Sequence, residues 1–334
     1  MESPFVSIII PNWNGESLLK DCLSSLVNLN YPKFEIIVVD NNSTDNSVNL
    51  VKIAFKDVLI VTNPTNLGFA GACNAGIKAA KGDIIALFNN DASADPSWLL
   101  RLVNTTLEAE NIAIAAGPIF YAQPSKLLWS AGMRIDAVTG IEWRVGHKKE
   151  IKEVRNSNDI DSNDFDYLTG CAIVITKKAI DVVGLFDETF FLYGEDVDWT
   201  FRAIRLGYKF KFNSSAFAWH NASFSRRKNP SKGYYFFIRA RFRNYFIHYP
   251  LRYLATSMFF QLILYPIAEV LLFKTPIEYM LSRFEGFVWN IRHLRDTLKK
   301  RRQVNAMGQF KLKNRFREFV KVLLDDRASK SYDF

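Results

Sequence analysis

Apolar runs of strand length alternate with stretches of helical spacing through the first hundred residues. "FVSIII" at 5–10 is continuous, β-branched and closed by Pro11, the pattern of a strand buried on both faces of a parallel sheet. Over 16–28 the apolar positions Leu18, Leu19, Cys22, Leu23, Leu26 and Val27 recur at helical intervals. "FEIIVVD" at 34–40 predicts a second strand and "VLIVTN" at 58–63 a third. Between them, Ser43 or Thr44 is placed to cap a helix through "DNSVNLVKIAF". The Gly/Ala-rich "GFAGACNAGIKAAKGD" predicts a helix closed by Gly82, followed by a fourth strand, "IIALFNN", at 84–90. Such alternation predicts a doubly wound α/β sheet of parallel strands, whose ligands bind at the carboxyl ends. Asp40 and Asp91 stand at two of those ends.

The pattern then loosens. Residues 113–165 are less regular and include the polar run "NSNDIDSNDFD", which predicts an exposed loop. "YLTGCAIVI" at 167–175 predicts another strand, and "KKAIDVVGLFDETFF" a helix and turn. "EDVDWTFRAIRLG" predicts an amphipathic helix with Val197, Phe201, Ile204 and Leu206 on one side and Gly207 at its end. "KFKFNSSAFAWH" predicts a last strand ending at His220. Past about 225 the character changes. Residues 253–273 are long and apolar enough to span a bilayer, but Gln261, Pro266 and Glu269 interrupt them. A core or interfacial helix pair broken at Pro266 fits as well. Residues 277–302 predict an aromatic and basic helix ending in "LKKRR". The expected division is 1–225, with halves of about 1–112 and 113–225, and a helical region over 226–334.

Composition narrows the class. Half of the 334 residues are apolar, enough for one large or two ordinary cores. Cys22, Cys73 and Cys171 are scattered and odd in number, which fits core thiols in a reducing compartment and excludes a disulfide framework. "MESPFVSIIIPNW" has no basic n-region, so a secretory signal is not expected. The net charge is +9, and its basic excess sits in "SRRKNPSK", "RARFR", "KKRR" and "KLKNRFR", all from Arg226 onward. That suggests an anionic partner for this half, a phospholipid surface or nucleic acid.

Three acidic sites and one histidine carry candidate chemistry, each beside a plainer explanation. Asp40 in "IIVVDNNSTDNS" could accept a hydrogen bond from a base or ribose, or simply start a turn. Asp91 in "FNNDAS" could hold a hard divalent cation together with phosphates, or open a loop. Glu195, Asp196 and Asp198 in "LYGEDVDW" could merely favour a helix dipole. Three acids behind an aromatic run also suit a general base. His220 is a possible metal ligand or a satisfied polar residue.

Taken in order, "VSIIIPNWNG", "IIVVDNNSTDNS", "NLGFAGACNAGIKAAKGD", "LFNNDA", "YLTGCAIVI", "VGLFDETFFLYGEDVDWTFRAIRLGY" and "WH" resemble the family 2 glycosyltransferases, particularly their rhamnosyltransferase-like branch, over about residues 4–245. The resemblance implies a GT-A fold, a Rossmann-like doubly wound mixed sheet, with a C-terminal helical, membrane-associating extension. It places Pro11, Asn12, Asn14 and Asp40 around a nucleotide and Asn66, Gly68, Phe69 and Asn74 beside the nucleotide or sugar. Asn90 and Asp91 take the position of the metal motif, with Mg2+ or Mn2+ resting chiefly on Asp91 and His220 as a late ligand. Asp196 matches the catalytic base, Glu195 lies near the acceptor, and Thr169 and Gly170 fall on the acceptor side. Trp199 departs from a smaller aliphatic residue. Implied partners are a nucleotide-sugar donor, a glycan or lipid-linked glycan acceptor and a membrane surface, with no nucleic acid. The implied location is cytoplasmic and peripheral, with one spanning helix as the rival. Arg226, Arg227 and Lys228 would sit on a loop that closes over the diphosphate. Three alternatives stand beside this reading. A polyisoprenyl-phosphate glycosyltransferase needs no base. A sugar nucleotidyltransferase would want a Gly-rich loop where this chain has "PNWNGES". A basic nucleic-acid-binding module would need neither acid.

Overall fold

The first apolar run becomes β1 (Val6–Asn12), and Pro11 does not end it. The chain continues as α1 (Glu16–Leu26), β2 (Phe34–Asp40), α2 (Ser47–Ala54), β3 (Leu59–Thr62), α3 (Gly68–Ala79) and β4 (Ile84–Phe88). On one side β1 pairs with β2 along its whole length, as far as Asn12↔Asp40. On the other side its pairing with β4 stops at Ile9↔Leu87. Pro11 therefore lies past the doubly paired part of the strand, where a missing N–H costs least.

The computed structural model describes residues 3–123, 125–156, 164–221, 230–268 and 276–326. Two compact units divide the chain. Residues 1–133 with 144–224 form the first, and residues 134–143 with 225–334 form the second. The short stretch 134–143 joins the second unit, which the sequence pattern does not announce.

In the first unit β5 (Ala92–Ala94), α4 (Trp98–Thr106), β6 (Ile112–Ala116), β7 (Ile119–Tyr121) and β8 (Leu128–Ser130) follow β4. A ribbon of β9 (Met133–Ile135) and β10 (Glu142–Arg144) flanks the excursion into the second unit. Then come α5 (Ile151–Asn156), β11 (Ala172–Thr176), α6 (Lys177–Val183), α7 (Glu195–Arg205), β12 (Lys209–Phe212) and β13 (Ala218–His220). The main sheet has the order β12-β6-β11-β4-β1-β2-β3. β11 runs antiparallel to both its neighbours and the other pairs are parallel, so the sheet is mixed. Ile8 and Ile10 face one core layer with Leu19, Leu23 and Trp98. Ile9 faces the other with Ala72, Cys73 and Trp199. All three cysteines are buried free thiols whose pKa is raised by burial.

Several expectations shift. α3 ends at Ala79, with Ala80 extended, so Gly82 is not its cap. A Cβ at Gly82 would lie 2.5 Å from the Ser7 nitrogen, and close approach to β1 is what requires the glycine. α2 is preceded by Asn46, and neither Ser43 nor Thr44 caps it. The predicted strand 167–175 begins only at Ala172. On α7, Ile204 and Leu206 are only partly buried, while Trp199, Thr200 and Ala203 are fully buried. Asp198 is more than a helix-start residue, because it forms a buried 2.8 Å ion pair with Arg202. Arg202 in turn donates to the Val183 and Leu185 carbonyls, so the polar side of α7 is buried as well.

"KFKFNSSAFAWH" is two strands in two sheets. β12 edges the main sheet, and β13 joins a four-stranded sheet of order β5-β13-β7-β8. The Asn213 side chain closes the turn between them, accepting from Ser215 N and donating to Thr105. Its parallel neighbour makes the same change of sheet between β6 and β7. At that crossing a Cβ on Gly117 would lie 1.9 Å from the Ala216 carbonyl oxygen.

The second unit is helical, with α8 (Pro230–His248), α9 (Leu251–Phe259), α10 (Ile277–Arg292), α11 (Leu294–Ala306) and α12 (Phe316–Asp326). α9 continues through a π-helical turn, Phe260–Leu264, as far as Ala268. Pro266 therefore does not break it, and the wider turn just before it gives the ring room. The predicted helix 277–302 is divided at His293, whose Nδ1 lies 2.8 Å from the Trp289 carbonyl. α8 and α10 pack closely through Gly286, where a Cβ would meet Arg239 N at 3.0 Å. Arg226, Arg227 and Lys228 lie outside the described residues, as does the end of the 253–273 segment.

Candidate active site

The carboxyl ends of β1, β2 and β4 hold one polar network. Asn12 Oδ1 accepts from Asn90 Nδ2 at 2.8 Å, and Asn12 Nδ2 donates to Ser43 Oγ at 3.4 Å. Ser43 Oγ also accepts from Asn14 N at 2.9 Å, and Asp40 Oδ2 accepts from Ser43 N at 3.2 Å. Asn14 adopts φ +50° and takes Thr44 N on its own Oδ1. A Cβ at Gly15 would lie 2.3 Å from Asn90 Nδ2 and 2.4 Å from Asn12 Oδ1, so a side chain there would displace the bond between those two amides. The network thus gathers Asn12, Asn14, Asp40 and Asn90 about Ser43, which the sequence offered only as a helix cap, with Pro11 next to Asn12 in β1. The "DNNSTDNS" turn composition was its signal. Asp40 Oδ1 is buried with no hydrogen-bond partner among the described residues. Such an orphan costs about 1–3 kcal/mol unless water or a ligand satisfies it. Trp13, between Asn12 and Asn14, is 56% exposed.

A second group surrounds the start of α3. Gly68 has φ +73°, and a Cβ there would lie 2.2 Å from the Phe191 carbonyl oxygen. That same oxygen accepts from Phe69 N at 2.6 Å. Asn66 Oδ1 accepts from Gly68 N, and Asn41 Nδ2 donates to Gly68 O. Asn74 is placed differently. Its Nδ2 donates to Phe186 O and Glu188 Oε1, and its Oδ1 accepts from Phe186 N. The Asn74 amide is occupied in clamping the turn at 186–188.

The loop before α7 is strained. Phe191, Tyr193 and Gly194 have φ of +62°, +67° and +78°, a conformation that concentrates at functional sites. It delivers the acids of the first turn of α7. Asp196 is partly exposed. Its Oδ2 accepts from Gly170 N at 3.0 Å and its Oδ1 from Val197 N at 2.9 Å. A Cβ on Gly170 would approach Asp196 and Phe69 at 3.5 and 3.9 Å, so Gly170, Phe69 and Asp196 meet, with Thr169 the preceding residue of the chain. Glu195 is buried, and burial first and the Asp196 charge second push its pKa well above the ordinary carboxylate value. Its Oε2 has no hydrogen-bond partner among the described residues.

The segment Thr169–Cys171 also reaches the fourth group. Cys171 O accepts from Asn89 N at 2.8 Å. His220 Nε2 stands 3.0 Å from Asp91 Oδ1 and 3.4 Å from Asn89 Nδ2, with the Trp129 ring edge-on at 4.8 Å. β13 carries His220 to this point, pairing it with Ala92 just after Asp91. Burial opposes the charge on His220. The Cys171 sulfur and the Asp91 carboxylate outweigh it and raise the pKa to about 10. The donor pair fits a divalent cation. Adjacent ligands of an octahedral ion at about 2.1 Å stand about 3 Å apart, which the 3.0 Å Asp91–His220 separation matches. Among the described residues no cluster of three or more His, Cys, Asp or Glu forms a fuller metal site, so water and phosphate oxygens would complete the shell.

Comparison with known proteins bears on the whole arrangement. Residues 7–182 match the profile of Glycosyl transferase family 2, more than half of the 334-residue chain. Glycosyltransferase AglE of Haloferax volcanii is 27% identical over 225 residues, 66% of this chain and 67% of its own length. The probable glycosyltransferase YdaM of Bacillus subtilis is 27% identical over 228 residues, 65% of this chain but only 51% of its own length. Among solved structures, mannosyltransferase PcManGT of Pyrobaculum calidifontis, in complex with GDP-Man and Mn2+, superposes with a TM-score of 0.54 at 15% identity, covering 92% of this chain and 86% of that one. Residues 1–349 of TarS from S. aureus superpose with a TM-score of 0.54 at 17% identity, covering 91% and 83%. By its sequence profile and its fold, the chain belongs to glycosyl transferase family 2 and is a glycosyltransferase of the GT-A type.

Proposed function

We propose that the chain transfers a sugar from a nucleotide-diphosphate sugar, of the dTDP-rhamnose or UDP-sugar kind, to a hydroxyl of a glycan or lipid-linked glycan, with inversion. The observation that carries this is the setting of Asp196. Its carboxylate is partly exposed, both its oxygens are oriented by backbone N–H groups, and its neighbour Glu195 is buried with its pKa raised by that burial. Asp196 takes the proton of the acceptor hydroxyl as that oxygen attacks the anomeric carbon. The new C–O bond forms while the bond to the diphosphate breaks on the opposite face, so the configuration inverts. A base in this role contributes roughly 10²–10⁴ in rate. Glu195 lies beside the acceptor, on the side of Thr169 and Gly170.

On the donor side, Pro11, Asn12, Asn14 and Asp40 hold the nucleoside. The orphaned Asp40 Oδ1 takes a base N–H, and Trp13 offers an exposed ring for stacking. Asn66, Gly68 and Phe69 border the sugar, and Asn74 supports them through the 186–188 turn. Asp91 and His220 would hold Mg2+ or Mn2+ next to Asn90. When bound, the cation supplies charge neutralisation to the diphosphate leaving group. His220 gives up its proton for this, since only a neutral imidazole ligates. PcManGT, a fold relative, was solved with GDP-Man and Mn2+. A lipid-linked acceptor also accounts for the basic second unit and for a peripheral position on the cytoplasmic membrane face.

Thermal unfolding with UDP-, GDP- and dTDP-sugars tests the donor side. At least one donor is expected to raise Tm only with Mg2+ or Mn2+ present, EDTA to reverse the shift, and Asp91→Ala to abolish it. A donor shift that survives both EDTA and Asp91→Ala counts against the metal assignment, and no shift with any donor counts against the substrate class.

A further inference from the structure

The second unit is inside out along two helices. On the helix Leu251–Ala268, the exposed positions Ala255, Phe259, Ile263 and Ile267 recur four apart, while Ser257 and Gln261 are fully buried. On α10, Ile277, Leu281, Phe284 and Ile291 fall on one helical face, and Ile277 and Phe284 are each 65% exposed. The opposite face buries Ser282, Arg283 and Asn290. Water-facing helices ordinarily have the reverse polarity. The buried polar groups are not stray. Ser257 Oγ donates to Ala137 O at 3.1 Å, Gln261 Nε2 to Thr139 O at 3.1 Å, and Asn290 Nδ2 to Arg239 O at 2.9 Å. Arg283 donates to Gln261 Oε1 at 3.1 Å. These bonds fix which face of each helix points out.

Charge identifies the occupant of that outward face. Residues 225–334 carry 23 Lys and Arg against 8 Asp and Glu, a net +15, whereas residues 1–224 are net −6. Arg252, Arg292, Arg295, Lys299 and Arg302 are exposed on these helices and on α11. Glu278 and Glu285 flank the α10 stripe and reduce this excess only slightly. A second copy would bring like charge against like, while an anionic lipid surface neutralises it.

We propose that the outward faces of the helix Leu251–Ala268 and of α10 lie flat in the surface of an anionic phospholipid bilayer, and that neither helix crosses it. The helix Leu251–Ala268 is long and apolar enough to cross a membrane, and only 11% of it is buried within the protein. Crossing would strand Ser257 and Gln261, or carry Arg283 and the chain at 137–139 into hydrocarbon. Lying flat keeps every one of those bonds and buries the exposed apolar side chains, with Thr256 beside them and Arg252, at the start of the helix, within reach of the headgroups. This refines the membrane attachment proposed above and is independent of the transfer chemistry.

Vesicle cosedimentation of the full chain tests it, comparing phosphatidylcholine alone with phosphatidylcholine containing phosphatidylglycerol. Binding is expected to the anionic vesicles, to weaken with salt, and to fall by roughly tenfold or more in the double variant Ile263→Glu/Leu281→Glu. Alkaline carbonate is expected to release the protein from membranes. Unchanged thermal unfolding of the variant confirms that its fold is intact, since both side chains are exposed. Retained transfer to a water-soluble acceptor separates this result from the catalytic reading. Four results would each overturn the proposal: no vesicle binding by the unaltered chain, variant binding equal to it, resistance to carbonate, or a dimer that the variant converts to monomer.

Discussion

Glu195 and Asp196 are neighbours in sequence with opposite settings. Glu195 is buried with an orphaned oxygen, and Asp196 is partly exposed with both oxygens occupied by N–H donors. The contrast predicts a pH effect on stability. In the unfolded chain Glu195 ionises near pH 4.3, whereas in the folded protein its pKa is raised. Above pH 4.3 the unfolded state releases a proton that the folded state keeps, so the ionisable residue destabilises the fold increasingly, by up to about 1.4 kcal/mol per pH unit, until the folded-state pKa is reached. Glu195→Gln removes that dependence. Its Tm is expected to match the unaltered protein at pH 4 and to exceed it at pH 7.5, as followed by calorimetry. At this scale the sequence set Asp196 apart from Glu195 and Asp198 only through family resemblance. Local composition could not show that Asp198 is buried against Arg202, or that the Asn74 amide is occupied, because both facts depend on residues far along the chain or on burial.

The elements were more legible where burial on both faces leaves an uninterrupted apolar run. β1, β2 and β4 fall within two residues of the predicted strands, and the Gly/Ala-rich α3 follows from its packing, since a Cβ on Gly76 would come within 2.3 Å of Ile9. The split of "KFKFNSSAFAWH" was not legible, because a local run does not record which sheet receives it. Gly117 marks that crossing, and it makes a prediction. Gly117→Ala forces a methyl against the Ala216 backbone and is expected to cost about 1–3 kcal/mol or more. Gly207→Ala is the control. That site has φ +85° but nothing within 4 Å, so only backbone strain of about 1–2 kcal/mol applies. Denaturant unfolding of the pair separates steric from conformational cost, and a milder effect at Gly117 would contradict the account of the double sheet change. The spacing of α10 reads in the sequence as an aromatic and basic amphipathic helix, and its apolar positions Ile277, Leu281, Phe284 and Ile291 are exposed. Periodicity gives the existence of a face and not its direction.

Across the whole molecule, acidic chemistry and basic charge occupy different units. The first unit carries the site at the strand ends and the acids that define it. The second carries the positive charge and the outward apolar helices. Overall charge was readable from the sequence, but the assignment of 134–143 to the helical unit was not, since it depends on Asp136, Ala137 and Thr139 meeting Arg315, Ser257 and Gln261 from more than a hundred residues away. The central claim concerns Asp196 and is most directly tested by Asp196→Asn. With a donor bound in the presence of Mn2+, single-turnover transfer to a hydroxyl acceptor is expected to slow by roughly 10²–10⁴, while donor affinity measured by calorimetry stays within about threefold. Near-normal transfer by Asp196→Asn would contradict the account and would point to an acceptor that is already ionised, such as a polyisoprenyl phosphate.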